Sequence, residues 1–365
     1  MSRQHIRSLK LLPLLLLLPL FWKAHSTYTF ERHLSSLQIS LSDFPPSYAD
    51  ALSNATYSNA PTFSFDYSLF PLNTTTASIP PIIHFIWFPN LYNTTGNSIP
   101  HHGSNSPGRC ELWDPHFQIW TWNASSAHAF LSKHYPSILA TYARYPYPIQ
   151  RVDALKYHLL HHYGGVYMDL DISCRRPLEP LMSGWPAWFP KAKPWGINND
   201  LMAARPGHPL LAWMIGRLEA RSRWWWGSEW VTVFWGTGPS FASDMLAEWV
   251  GLHSEVRKEG SDGMWRSLDL ENCSVFSGWS LLTHITIDPN AFFILPEQFY
   301  SQDPGFTFFG HSPGGTWYGD DAKFVLWLLD RPGVIAIVVG TPVALYTGLV
   351  VRRRRRSVGW KSGKV

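Results

Sequence analysis

Between Pro148 and Ile172 the hydrophobic period of the sequence changes once, at Gly164-Gly165, and this change restricts the fold more than any other feature. Val152, Leu155 and Leu159 stand at i, i+3 and i+7, which gives a helix one apolar face. Gly164 supplies the positive-φ residue on which such a helix ends, so the pattern predicts a helix from Pro148 to about Tyr163. After the glycines the period becomes 2. Val166, Met168, Leu170 and Ile172 then point one way, and Tyr167, Asp169 and Asp171 the other. The unbroken apolar run Ile82 to Phe88 reads as a strand buried on both faces, as in a parallel sheet. Alternating helix and strand patterns after it predict an α/β fold.

Two carboxylates two residues apart on one strand face have origins roughly 6 to 7 Å apart and can address one ion or its waters. Oxygen ligands suit Mg²⁺ or Mn²⁺. Such an ion neutralises a diphosphate and stabilises the charge that grows on it when a bond to it breaks. An Asp-x-Asp tripeptide on its own is just as well a solvated acidic pair. The setting of Asp169 and Asp171 adds to it: a helix bearing Arg151, Asp153 and Lys156, the Gly-Gly turn, and a strand end, where α/β sheets bind ligands.

The formal charge of +4 suggests a basic protein, but the basic residues crowd the ends. Arg3, Arg7, Lys10, Lys23, Arg352 to Arg356, Lys361 and Lys364 are eleven of the 30, leaving 19 against 26 acidic residues in the body. That balance excludes a nucleic-acid footprint. Val334 to Val351 carries no charge and precedes five arginines, so residues 332–351 are expected to span a membrane, with 352–365 as a cytosolic tail. Residues 1–26, basic and then leucine-rich, read as a signal peptide or signal anchor. Sequons at Asn54, Asn73, Asn93, Asn123 and Asn272 agree with a luminal body. Three cysteines, Cys110, Cys174 and Cys273, allow one bridge at most, in any pairing. Residues 27–78 are rich in Ser, Thr, Asn and Pro without a period and read as a spacer stem, before a catalytic domain over 79–328.

Five segments, in order, resemble the core of glycosyltransferase family 32, which contains fungal mannosyltransferases acting on inositol phosphorylceramide and initiating α-1,6-mannosyltransferases. They are Ile79-Pro-Pro-Ile-Ile-His, Arg151-Val-Asp-Ala-Leu-Lys-Tyr, Tyr163-Gly-Gly-Val-Tyr-Met-Asp-Leu-Asp, Asn198-Asn-Asp-Leu-Met-Ala-Ala-Arg-Pro-Gly-His-Pro, and His311-Ser-Pro-Gly-Gly-Thr-Trp. The resemblance implies a GT-A fold, a divalent metal (Mn²⁺ or Mg²⁺), GDP-mannose as donor and retention of anomeric configuration. It implies Asp169, Asp171 and His311 as metal ligands, with Asp200 joining Asp169 and Asp171 in catalysis. Arg151, Asp153, Lys156, Tyr167, Asn198, Asn199 and Trp317 would bind the donor. Lys156 stands where the family usually has arginine, a point charge in place of a bidentate fork.

The same resemblance implies a lipid acceptor, inositol phosphorylceramide, at a Golgi or endoplasmic reticulum membrane. A regulatory membrane subunit is among the partners it suggests. Trp224-Trp225-Trp226 with Trp230 and Trp235 read either as core or as an aromatic belt resting on that membrane. Two alternatives stay open from the sequence: an α-1,6-mannosyltransferase acting on protein N-glycans, and a non-catalytic carbohydrate- or lipid-binding membrane protein.

Overall fold

The apolar run after Ile79 forms strand β1 (Ile82–Ile86), buried on both faces as its composition requires. It lies between β2 (Gln118–Trp122) and β3 (Gly165–Met168) and is parallel to both. The chain then makes β4 (Ile172–Cys174), β5 (Ala187–Pro190), β6 (Leu201–Ala204), β7 (Phe293–Leu295) and β8 (Phe309–His311). Six strands form one sheet in the order β2-β1-β3-β6-β5-β7, and only β6 runs against the others. The sheet is therefore mixed, and the α/β class read from the sequence holds. β4 and β8 pair antiparallel in a second, two-stranded sheet. This computed structural model describes residues 25–55, 65–72, 79–89, 106–193, 195–222, 227–256, 289–300, 307–312, 319–329 and 331.

The helices are α1 (residues 25–36), α2 (Pro46–Ala55), α3 (Ser106–Trp113), α4 (Ala124–His134), α5 (Leu139–Arg144), α6 (Pro148–Tyr163), α7 (Glu179–Met182), α8 (Pro209–Ile215), α9 (Leu218–Arg221), α10 (Glu229–Gly236), α11 (Pro239–Val256) and α12 (Asp320–Leu329). Helix α6 has the predicted bounds and ends on Gly164 at φ +67°. A side chain at Gly165, φ +95°, would run into the Ile82 carbonyl, so the second glycine lets β3 start hard against β1. Tyr167, Met202 and Ala204 join α4, α6, α8 and α11 in one apolar layer. Val166, Met168, Leu201 and Ala203 join a layer on the opposite sheet face. Period-2 alternation thus holds along β3, but only to Met168.

Two expectations are corrected here. The strand does not continue through Ile172: the Ile172 N–H donates to the Asp169 carbonyl, closing a turn at Leu170 and Asp171, and the chain crosses from the first sheet to the second. The described parts of the expected stem, residues 27–55 and 65–72, are also not a loose spacer. Leu34, Leu37, Ile39, Phe44, Tyr48, Leu52 and Phe70 are buried, Ile39 bonds to Ile294, and the Phe44 ring packs on Trp185, Phe299 and Phe308. No sustained period shows because the buried residues are split between two short helices, α1 and α2, and the irregular turns that follow each.

The chain divides into two compact units, Met1–Trp224 with Val233–Gly314 and Trp225–Thr232 with Gly315–Val365. Every side chain of the site described below belongs to the first. In the second, Asp321 accepts hydrogen bonds from Ser228 Oγ and the Trp230 N–H, and Asp320 pairs with Lys323 in solvent. Residues 1–24 of the expected leader, the expected span over 332–351, the basic residues 352–365, Trp224 to Trp226, and Trp317 lie outside the described residues. Among those described, no helix is long and apolar enough to cross a membrane. Trp230 is buried, as the core reading has it, and Trp235 is half-buried.

Candidate active site

Strands β1 and β3 point their carboxyl ends at one edge of the sheet, and Asp169 is the first residue beyond β3. Antiparallel β6 enters the sheet from that same edge, which sets Asp200, just before it, beside Asp169: the Asp169 N–H donates to the Asp200 carbonyl at 2.8 Å. The turn at Leu170 and Asp171 then leads into β4, whose pairing Ile172↔His311 brings the end of β8 across. His311 Nε2 lies 3.7 Å from Asp171 Oδ2 and 3.9 Å from Asp200 Oδ2. Strand alternation therefore does not gather these acids. A strand end, a turn and two sheet pairings do.

Two tyrosines hold the cluster. Tyr167 donates its hydroxyl to Asp169 Oδ1. Tyr300 donates to Asp200 Oδ2, stands 2.7 Å from His311 Nδ1 and stacks its ring on that imidazole. Asn198 Nδ2 donates to Asp200 Oδ2 at 2.6 Å. Tyr300 was missed in the sequence, where no pattern marks it; it follows a short 3-10 turn, Glu297–Phe299, far along the chain.

On the helix side, Asp153 and Lys156 form an ion pair at 2.7 Å with both side chains almost wholly buried, so a surface i,i+3 pair is excluded. Asp153 also accepts from Thr237 Oγ1 at 2.9 Å and Asn199 Nδ2 at 3.2 Å, and Asn199 bonds Tyr157 as well. The Lys156 ammonium lies 5.0 Å above the Tyr167 ring. Burial alone would lower its pKa, but the charges of Asp153, Asp169 and Asp200 outweigh burial and raise it. Arg151 is engaged elsewhere: its guanidinium donates to the carbonyls of Tyr142, Ala143 and Tyr145 at the end of α5. The structure thus brings Asp153, Lys156, Tyr167, Asp169, Asp171, Asn198, Asn199, Asp200 and His311 together and gives Arg151 a helix-capping task.

Electrostatically the cluster is short of positive charge. Burial pushes Asp169 up to about 7, with Asp171 and Asp200 adding to it against Lys156. Burial likewise raises Asp200, with Asp171 adding to it against His311, Tyr300 and Lys156. His311, which burial would lower, is raised by Asp171, Asp200 and Asp169. The Oδ1 atom of Asp200 is buried with no hydrogen-bond partner. Carboxylates and one imidazole around an unsatisfied oxygen suit a hard divalent cation. Among the described residues no three His, Cys, Asp or Glu side chains already stand at ligand spacing, while tyrosine hydroxyls occupy oxygens of Asp169 and Asp200.

The sequence pattern of a family described as "Glycosyltransferase sugar-binding region containing DXD motif" matches residues 100–191, which include Asp169 and Asp171. The chain is similar to "Inositol phosphoceramide mannosyltransferase 1" of Schizosaccharomyces pombe, 30% identical over 289 residues, covering 77% of this chain and 76% of that protein. It is similar to "Mannosyl phosphorylinositol ceramide synthase SUR1" of Saccharomyces cerevisiae, 30% identical, covering 68% of this chain and 54% of the relative. "Inositol phosphoceramide mannosyltransferase 3" of Schizosaccharomyces pombe is also 30% identical, covering 70% of this chain and 60% of the relative. The chain thus spans about three quarters of the first and little more than half of the other two.

Proposed function

Because the chain belongs to the glycosyltransferase family whose sugar-binding region carries the DXD motif, we propose that it transfers mannose from GDP-mannose to the inositol of inositol phosphorylceramide. The observation that carries the site assignment is the convergence of Asp169, Asp171 and Asp200, with His311, at the edge where β1 and β3 end. Asp169, Asp171 and His311 would hold a divalent ion, Mn²⁺ or Mg²⁺, which when bound supplies charge stabilisation to the departing diphosphate.

The residues around the ion do the positioning. Lys156, kept charged by three carboxylates, opposes the burial that raises Asp169, which also accepts the Tyr167 hydroxyl. Tyr300 ties Asp200 to His311 and so fixes two groups at once. Asp153 and Asn199 clamp one another and lock α6 to the bend before β6. In the transfer, the bond from the sugar's anomeric carbon to phosphate breaks and one from the acceptor hydroxyl oxygen forms on the same face. The hydroxyl proton passes to the leaving phosphate oxygen. Asp200, beside Asp169, orients the acceptor and the sugar.

Several features support a luminal, membrane-tethered setting. Cys110 and Cys174 form a disulfide, as in oxidising compartments, and Asn54 and Asn123 of the sequons are exposed. The uncharged stretch Val334 to Val351 supports the tether. A direct test incubates the detergent-solubilised protein and Mn²⁺ with labelled GDP-mannose and either inositol phosphorylceramide or an N-glycan core. Labelled lipid is the expected product. Transfer to the glycan alone, or to neither with donor still bound, contradicts the proposal.

A further inference from the structure

Strands β5 and β6 are joined by an irregular hairpin. Between the pairs Trp188↔Ala203 and Lys191↔Ile197, two residues on one side stand opposite five on the other, 198–202. This bulge turns Asn199 toward Asp153 and Asp200 toward Tyr300. The described residues of the tip, 192, 193, 195 and 196, lie at the same edge of the sheet as the carboxylates, because β5 runs toward that edge and β6 away from it.

The tip is pinned from several directions. Glu31 of α1 accepts from the Gly196 N–H at 2.6 Å and pairs with Lys191 Nζ at 2.8 Å. Lys191 also donates to the carbonyls of Ala192 and Gly196. The Ala192 N–H donates to the Gly196 carbonyl, and Ser243 Oγ bonds both the N–H and the carbonyl of Ile197. Gly196 sits at φ +80° with no room for a side chain against Ser243. On this fixed turn Trp195 leaves half its surface in water, and among the described residues no ring stacks on it and no acceptor takes its indole N–H. A single exposed apolar residue usually needs no explanation. An indole exposed on a turn whose backbone is held at the active edge differs, because less of the chain has to be ordered when a ligand arrives.

We propose that Trp195 is the acceptor platform: its ring receives the carbon–hydrogen face of the acceptor's cyclic polyol and presents a hydroxyl of that ring toward Asp200. This rests on the transferase reading above and adds a specificity-determining residue to it. An indole face matches a ring with axial C–H groups, while its N–H remains available to a hydroxyl or phosphate oxygen. Lys193, two residues before Trp195, is exposed and paired with Glu297.

Binding and transfer are read separately. For binding, saturation-transfer NMR follows soluble inositol phosphate on the wild-type protein with diamagnetic Mg²⁺, on W195A and on W195F. The expected result is saturation of the polyol ring protons in wild type, loss in W195A and recovery in W195F. For transfer, W195A should raise KM for inositol phosphorylceramide about five- to tenfold, the loss of one ring contact, with W195F in between. The donor KM and the slow hydrolysis of GDP-mannose by water should not move.

No saturation in wild type, an unchanged acceptor KM, or a parallel fall in donor hydrolysis overturns the platform. So does an effect seen with vesicle-embedded acceptor and absent with soluble headgroup, which would make Trp195 a membrane contact. Headgroup binding that depends on Trp195 without any mannose transfer leaves the platform standing and sinks the reaction assigned above.

Discussion

The first unit buries acids in two places, and the two clusters differ in what surrounds them. At the sheet edge, Asp169, Asp171 and Asp200 face Lys156 and His311, and Asp171 and His311 remain partly open to solvent. Elsewhere, Asp114 is wholly enclosed beside Glu179, with the Leu178 N–H on one oxygen and His116 on Glu179 at 3.2 Å. Burial, with Glu179 adding to it, pushes Asp114 far up, and this cluster too has carboxyl oxygens without a hydrogen-bond partner. A raised pKa and an unsatisfied oxygen therefore do not mark a site by themselves. The enclosed acid resolves its charge by keeping a proton, which an acid between two neighbours can share. The edge cluster stands where two parallel strands end, and its Asp171 and His311 stay partly exposed to solvent.

The contrast is sharpest under substitution. Asp171→Ala should lower mannose transfer about a thousandfold or more, since it removes a charge aimed at the reacting phosphate, with the thermal midpoint unchanged or raised. Asp114→Asn should leave transfer within about twofold, as expected of a group that acts only on stability. Equal losses of activity from the two would break the distinction. Lys156→Met leaves Asp153 and Asp169 buried without their cation and should cost roughly 3 to 5 kcal/mol in denaturant unfolding. A stability equal to wild type would mean that the pair is not buried as described.

Cys110→Ser opens a bridge between residues 64 apart and should cost about 2 to 4 kcal/mol, measured the same way, with the KM for GDP-mannose unmoved. A further check comes from pH. Asp114 is raised in the folded protein to about 8 from an unfolded value near 4, so the folded state holds the proton longer than the unfolded state does. Its contribution to stability is full below the unfolded value and is lost as pH rises through about 8. The thermal midpoint should fall between pH 5 and 9 in wild type and fall less in Asp114→Asn.

Much of the edge cluster was legible in the sequence. Helix α6, the paired glycines and the placement of Tyr167 and Asp169 follow from one change of period. The turn at Leu170 was hidden because Leu170 and Ile172 continue the alternation of β3, and only the distant pairing of Ile172 with His311 shows that the chain has changed sheets. Arg151 lies on α6 beside the residues of the site, yet its fork is drawn to free carbonyls at the end of α5. Tyr300 and the bulge before β6 were illegible, since both depend on which strands pair. The order in residues 27–55 and 65–72 escaped because its buried side chains are divided between two short helices and the turns after them, each too short to show a period.

The central claim is that the edge cluster, and not the enclosed one, binds a nucleotide diphosphate through a divalent ion. Calorimetric titration of GDP into the chelator-treated protein, with and without Mn²⁺, tests it most directly. The account predicts binding only with Mn²⁺, lost in Asp171→Ala and retained in Asp114→Asn. Binding that survives chelation, or that survives Asp171→Ala with equal affinity, would contradict it.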